Sequence, residues 1–346
     1  MSLLIEAINL YRAPARAVAS PLGSEVPEIY KHLLGPSGSF SRPPAAPVWA
    51  DQWQAPDYAL PVEASERCSG EMAEVAARAL AAALPEGTVA TAGGVLHCQA
   101  TLSQSIVASN CLRVKNSCSP KSRVVQALSQ LGVGAVPAAL ALSAAYLSGP
   151  LLGGRVLLSA SDKWIQPFFR GYADLVNFGD AAGAVLISAP AEDRQGIAKV
   201  VGWKHLLAAD TTPIWQQPRQ RLADLLVDGV LKVALPLLER AQAEEHPVEL
   251  IIGEPLAEDV VTRIAQALAA PSDNTGVSQR AHLSSAEALN GLLTGVRHAN
   301  RLGRPVRVLI WTASMPGVFG ALLADCYPAQ LDDDGELCLA KPLTRH

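Results

Sequence analysis

The sequence has no CxxC pair and no cluster of cysteine and histidine at zinc-ligand spacing, so nothing in it points to a metal site. Its six cysteines, Cys68, Cys98, Cys111, Cys118, Cys326 and Cys338, are scattered, as reduced core residues of a large chain usually are. It has no run of lysine and arginine interleaved with aromatics. With a net charge of -4 and a pI near 6.0, this argues against a dedicated nucleic-acid binder. No uninterrupted apolar stretch reaches the roughly 18 residues of a membrane span. The first residues, Met1-Ser-Leu-Leu-Ile-Glu, lack a basic segment and a small-residue cleavage site. They predict a strand rather than a signal peptide, with the cytoplasm as the default location. Charge is sparse, at 17% of residues against 49% apolar, which favours a large buried core. A chain of 346 residues is long enough for one large domain or two fused halves.

What is present is an alternation of strands and helices. A first strand is followed by an irregular segment to about residue 66, with Gly35-Pro-Ser-Gly-Ser-Phe-Ser-Arg-Pro-Pro as its core. Helices are expected over 69–84, 103–114, 135–147, 218–243, 257–268 and 285–300. Strands are expected over 88–99, 123–129, 154–161, 184–188, 248–253 and 306–312, with the 123–129 strand buried. The 135–147 helix is apolar nearly all round, so burial on every side is expected. Pro137 falls in its first turn, where a missing N–H costs nothing. This rhythm predicts parallel βα units and two similar halves, 1–190 and 191–346.

Several segments then become recognisable. Asn177-Phe-Gly-Asp-Ala-Ala-Gly-Ala-Val resembles the FGDGAGA turn of the ketoacyl synthase III enzymes, members of the thiolase superfamily. Ala281-His-Leu-Ser-Ser-Ala-Glu is similar to their GNTSSAS segment, and Val306 to Ala321 to their last strand and glycine-rich turn. The turn before Ala135 matches their nucleophile elbow in order. The resemblance covers roughly residues 69 to 325. It implies an α/β, five-layered αβαβα thiolase-like fold of two duplicated halves, dimerisation through the first half, and a tunnel for a pantetheine arm. The acyl group would arrive on coenzyme A or on the phosphopantetheine of an acyl carrier protein, with no resident cofactor and no metal.

The chemistry of that family needs a cysteine at a helix N-terminus, where the backbone dipole favours the thiolate, and a histidine and an asparagine beside it. Aligned by the resemblance, the nucleophile position falls on Gly132, with Val133 one residue away. The histidine position falls on Glu254 in Gly253-Glu-Pro-Leu-Ala, its neighbouring asparagine on Ala257, and the second asparagine on His282. All three catalytic positions depart from the pattern, while the motifs around them hold. Trp164 and Phe168, in the loop after the 154–161 strand, are candidate substrate contacts. Cys118 is a candidate displaced nucleophile, set against the reading of a loop or core cysteine. His282 as a base, and Glu254 as a buried acid or base, are candidates for a rebuilt site. Asp162 and Asp180 are read as residues that hold turns. Arg297, His298, Arg301, Arg304 and Arg307 gather near one late helix, as a docking face for an acidic carrier protein or as a solvated helix end.

The expectation is a non-catalytic ketoacyl synthase III-like subunit in fatty-acid or polyketide-type secondary metabolism. It would form a homo- or heterodimer with a ketoacyl synthase III-like partner that keeps the thiol. The alternatives are an acyltransferase, thioesterase or condensing enzyme with a rebuilt site, and an acyl- or pantetheine-binding protein without turnover.

Overall fold

The computed structural model describes residues 2–16, 62–101, 103, 109–129, 131–149, 154–164, 171–172, 175–208, 217–269, 272–273, 281–314 and 317–340. The Pro/Gly-rich segment inside 17–61 lies outside them.

Ten strands run through one continuous ladder. The first five are β1 (Leu3–Arg12), β4 (Gly94–Gln99), β5 (Val124–Ser129), β6 (Arg155–Asp162) and β9 (Ala181–Ser188). They lie in the spatial order β5-β4-β6-β9-β1. The second five are β10 (Ala198–Leu207), β11 (Leu250–Ile252), β12 (Ser272–Asp273), β13 (Val306–Ser314) and β14 (Val318–Cys326), in the order β12-β11-β13-β14-β10. Numbered within its own half, each set reads 3-2-4-5-1. The directions repeat as well. Strands three, two and four are mutually parallel, and five is antiparallel to four and to one. Duplication, too faint to prove from residue identity, is plain in topology. The halves join where β1 pairs antiparallel with β10, and β16 (Leu337–Leu339) carries the chain end back onto β1. Short pairs β2–β3 (Ala15–Arg16 with Val62–Glu63) and β7–β8 (Gly171–Tyr172 with Val176–Asn177) complete the strands used below.

The period-2 alternation of each strand sorts its side chains to two faces. Leu158, Val185, Val308, Ile310 and Leu322 face inward onto α3 (Ala135–Leu147) and α6 (Glu287–Leu302). Leu157 and Leu186 face outward onto α1 (Ser69–Ala83) and α2 (Asn110–Cys118). Leu309, Trp311 and Leu323 face outward on the other side, onto α4 (Arg219–Ala243) and α5 (Glu258–Leu268). Three cores separated by two sheet halves make five layers, αβαβα, as the resemblance implied.

Four local expectations need correction, the first being the strand expected from residue 88, which begins at Gly94 after a turn. The helix expected at 103–114 is observed at Asn110–Cys118, where Ser109 caps it by accepting the Leu112 N–H. Cys118 therefore ends a helix rather than sitting in a loop. Strand β5, expected to be buried, is the sheet edge and is half to fully exposed. Helix α3 is consequently not buried on every side. Ala145 is exposed, Ala138, Ala141 and Leu142 are half-buried, and Tyr146 Oη donates to Gln126 Oε1 of the edge strand at 2.8 Å. Among the described residues no helix is long and apolar enough to cross a membrane.

Candidate functional site: two facing elbows

Each half turns from its third strand into its inner helix through the same device. After β5, a tight helical turn (Gly132–Gly134) leads directly into α3, with Gly132 at φ +50°. After β12, a matching turn (Ser284–Ala286) leads directly into α6, with Ser284 at φ +53°. Left-handed backbone of this kind favours glycine, and a serine held there is strained. The two turns pack directly against each other, so the N-termini of the inner helices converge on one buried place.

The first elbow presents no side chain. A β-carbon on Gly132 would stand 2.7 Å from Ser314 Cβ and would overlap Ser314 Oγ. Ser314 ends β13, belongs to the other half, and is only 4% exposed.

The second elbow is held from three sides. His282 N–H donates to the Asn177 carbonyl at 2.7 Å, and Gly179 N–H donates to the His282 carbonyl at 2.9 Å. The Asn177-Phe-Gly-Asp turn is thus docked on the Ala281-His-Leu-Ser turn. A β-carbon on Gly179 would lie 2.9 Å from Glu63 Oε2 and 3.2 Å from Ala281 Cβ, which explains the glycine there. Asp180 accepts the N–H groups of Trp164 and Ser65, each at 2.9 Å. Asp162 accepts those of Ala100 and Thr101 with Oδ1, both at 2.7 Å, and that of Ser285 with Oδ2 at 2.9 Å. Both aspartates hold turns.

Glu254 and His282, far apart in sequence, meet here. Glu254 Oε2 accepts the Ala313 N–H at 2.5 Å and lies 3.1 Å from His282 Nε2, though not well aligned with it. His282 Nδ1 accepts the Ser284 N–H at 2.8 Å. That bond assigns the neutral ring's proton to Nε2, facing Glu254. Both side chains are essentially inaccessible, and Glu254 Oε1 has no partner among the described residues. Burial pushes the Glu254 carboxyl above the ordinary carboxylate range, against the pull of His282 and the Ala313 N–H. Glu287 closes the cluster. It accepts the Leu283 N–H at 2.8 Å and sits 3.9 Å from His282 Nδ1.

Of the other candidates, Trp164 is buried; its ring stacks on Phe178 at 4.2 Å between centroids, and Phe178 in turn tilts against His282 at 5.1 Å. Phe168 lies outside the described residues. Ala257 is the N-terminal flank of α5, and its N–H donates to the Leu175 carbonyl. Cys118 is packed with Val114 in the outer core under α1, on the sheet face opposite α3, and burial raises its thiol to about 11. That is a structural environment, not that of a nucleophile. Of the late basic residues, Arg301 is exposed and lies 3.0 Å from His298 Nδ1, and the others are engaged within the chain. Both Arg304 nitrogens bind Glu249, Arg307 is buried against Asp325 and Glu244, and Arg297 donates to the Gly335 carbonyl. Sequence reasoning missed Ser314 and Ser284. Ser284 was visible only as the serine after His282-Leu283, and Ser314 approaches Gly132 across 182 positions, with no local signal.

The architecture of ten strands in two 3-2-4-5-1 sets around two inner helices is the thiolase-type fold of the condensing enzymes. Among solved structures, the chain is similar to ChlB3, an acyltransferase, at 14% identity over 95% of this chain and 98% of that one, with a TM-score of 0.66. It is similar to 3-oxoacyl-(acyl carrier protein) synthase III of Pseudomonas aeruginosa PAO1 at 14% identity, 95% and 99% coverage, and a TM-score of 0.65. The tetronic acid condensing enzyme AbyA1 follows at 13% identity, 93% and 99% coverage, and 0.63. Identities this low establish the shared fold. No family model and no curated protein matches the sequence.

Proposed function

We propose that this chain is a non-catalytic ketoacyl synthase III-like subunit that pairs with a thiol-bearing condensing enzyme. The observation that carries the reading is the first elbow, where a tight turn leads into an inner helix, as the resemblance implies for a nucleophile site, and the volume a side chain on residue 132 would need is filled by Ser314. The supporting observation is the fate of the other two positions. Glu254 and His282 are turned toward each other in a closed, buried pair.

The half 1–190 would supply the pairing surface, and 191–346 the hairpin that closes the elbow. Strand β5 supports this, since an edge strand with half-exposed Val124, Val125 and Leu128 is a ready surface for another chain. The acyl-coenzyme A or acyl carrier protein substrates would be handled by the partner. Co-expression with a cysteine-bearing ketoacyl synthase III homologue tests this. A stable complex burying about 1,600 Å² or more is expected. A homodimer that ignores every such homologue contradicts it.

One observation favours a second reading. A buried carboxyl with a raised pKa and an oxygen unpartnered among the described residues is suited to carry a proton in acyl transfer or hydrolysis. Release of free coenzyme A from acyl-coenzyme A, abolished by Glu254→Gln, would support it.

A further inference from the structure

We infer that Ser314 is the residue that shuts the first elbow, and that Gly132 and Ser314 form one steric pair drawn from opposite halves of the fold. The inference rests on the non-catalytic reading and names what enforces it.

The simplest account of Gly132 is its backbone, since φ +50° favours glycine. The second elbow argues against that account. Ser284 occupies the matching place at φ +53°, carries a β-carbon, and is completely buried. The turn itself therefore accepts a side chain. What differs at the first elbow is the surface opposite. The β13–β14 hairpin presses on the start of α3 at three points. Ser314 fills the space a side chain on residue 132 would need, and Val318 fills that of residue 134. A β-carbon on Gly320 would meet Pro137 in the first turn of α3 and would lie 2.7 Å from Thr312 Oγ1. Ser314 cannot easily withdraw. It pairs in register with Val318, and its carbonyl accepts the Gly317 N–H at 2.7 Å to close the hairpin.

The consequence is chemical. Restoring a thiol at residue 132 is not enough, because the hairpin occupies its volume. With Ser314 cut back, an introduced thiol would stand at the intact N-terminus of α3, where thiolate is favoured. Such a thiolate attacks the carbonyl of an acyl thioester. The new S–C bond forms, the carrier's C–S bond breaks, and the released carrier thiolate takes its proton from water. With a carboxyl rather than an imidazole at Glu254, the acyl group would stay on the protein.

The test compares the full-length wild type with Gly132→Cys, Ser314→Gly and the double variant. Peptide mass mapping follows iodoacetamide alkylation at residue 132 separately from the native cysteines, and acetyl-coenzyme A is the acyl donor. Gly132→Cys alone should lose denaturation midpoint and alkylate slowly. The double variant should recover midpoint and alkylate at least about tenfold faster, in keeping with a thiolate that is no longer crowded by Ser314. It should also take up one acetyl group. Equal reactivity in the single and double variants would overturn the inference. Should the cysteine variants fail to fold, Gly132→Ala with and without Ser314→Gly gives the same answer. A loss of midpoint that Ser314→Gly relieves supports the steric pair, and an equal loss in both backgrounds overturns it. Failure to bind a condensing partner would leave these results standing, and additive midpoints would leave the pairing reading standing.

Discussion

Single residues in this protein do work that neighbouring sequence does not announce. Glu254 and His282 were legible as departures from a family pattern, but their contact was not, because 28 positions and the helix α5 lie between them in the chain. Their meeting has a cost that can be measured. Glu254→Ala would leave the Ala313 N–H buried without an acceptor, a loss of about 1–3 kcal/mol. Glu254→Gln keeps an acceptor and should lose less, as urea unfolding will show. His97 gives a prediction of pH dependence. It is fully buried on β4 with Nδ1 2.9 Å from Ser159 Oγ, Nε2 3.5 Å from Ser161 Oγ, and Asp162 and Gln99 nearby. Burial lowers its pKa from 6.5 to about 4, against the opposing pull of Asp162. The folded state thus resists a proton that the unfolded chain accepts. Its stability contribution is complete above pH 6.5 and is lost as pH falls toward 4, by up to roughly 3 kcal/mol. The denaturation midpoint should fall along that limb, and His97→Gln should flatten it.

At the scale of elements, the inner helices and the strands bounded by glycine or proline were legible, whereas β10 and β14 were not anticipated. The 135–147 helix and the 306–312 strand were expected within two residues of where they stand, because their apolar runs are long and bounded by glycine and proline. Edges were not legible. The apolar run at 123–129 looks the same whether a strand is covered or not, and only its place at the end of the ladder exposes β5. That exposure makes β5 the element to perturb. Ala127→Lys, at an exposed position of the edge strand, should abolish pairing with another chain, read as a shift to monomer mass by light scattering, with little change in midpoint. Asp162 ties the ends of β4 and β6 to the second elbow through three backbone N–H groups. Asp162→Ala should cost about 3 kcal/mol or more, since charge-assisted bonds to buried N–H groups are lost together.

For the whole molecule, duplication is the organising fact, and it was only half visible. The alternation of strands and helices announced two similar halves, but the repeated 3-2-4-5-1 order and the twin elbows emerge only in three dimensions. The halves differ at the point where they meet: one elbow carries Ser284, and the other carries Gly132 with Ser314 against it. The most direct test of that picture is intact-mass analysis of the wild-type protein after incubation with acyl-coenzyme A. The mass should be unchanged. An acyl group held as a hydroxylamine-labile thioester on any of the six cysteines would contradict the proposed non-catalytic reading.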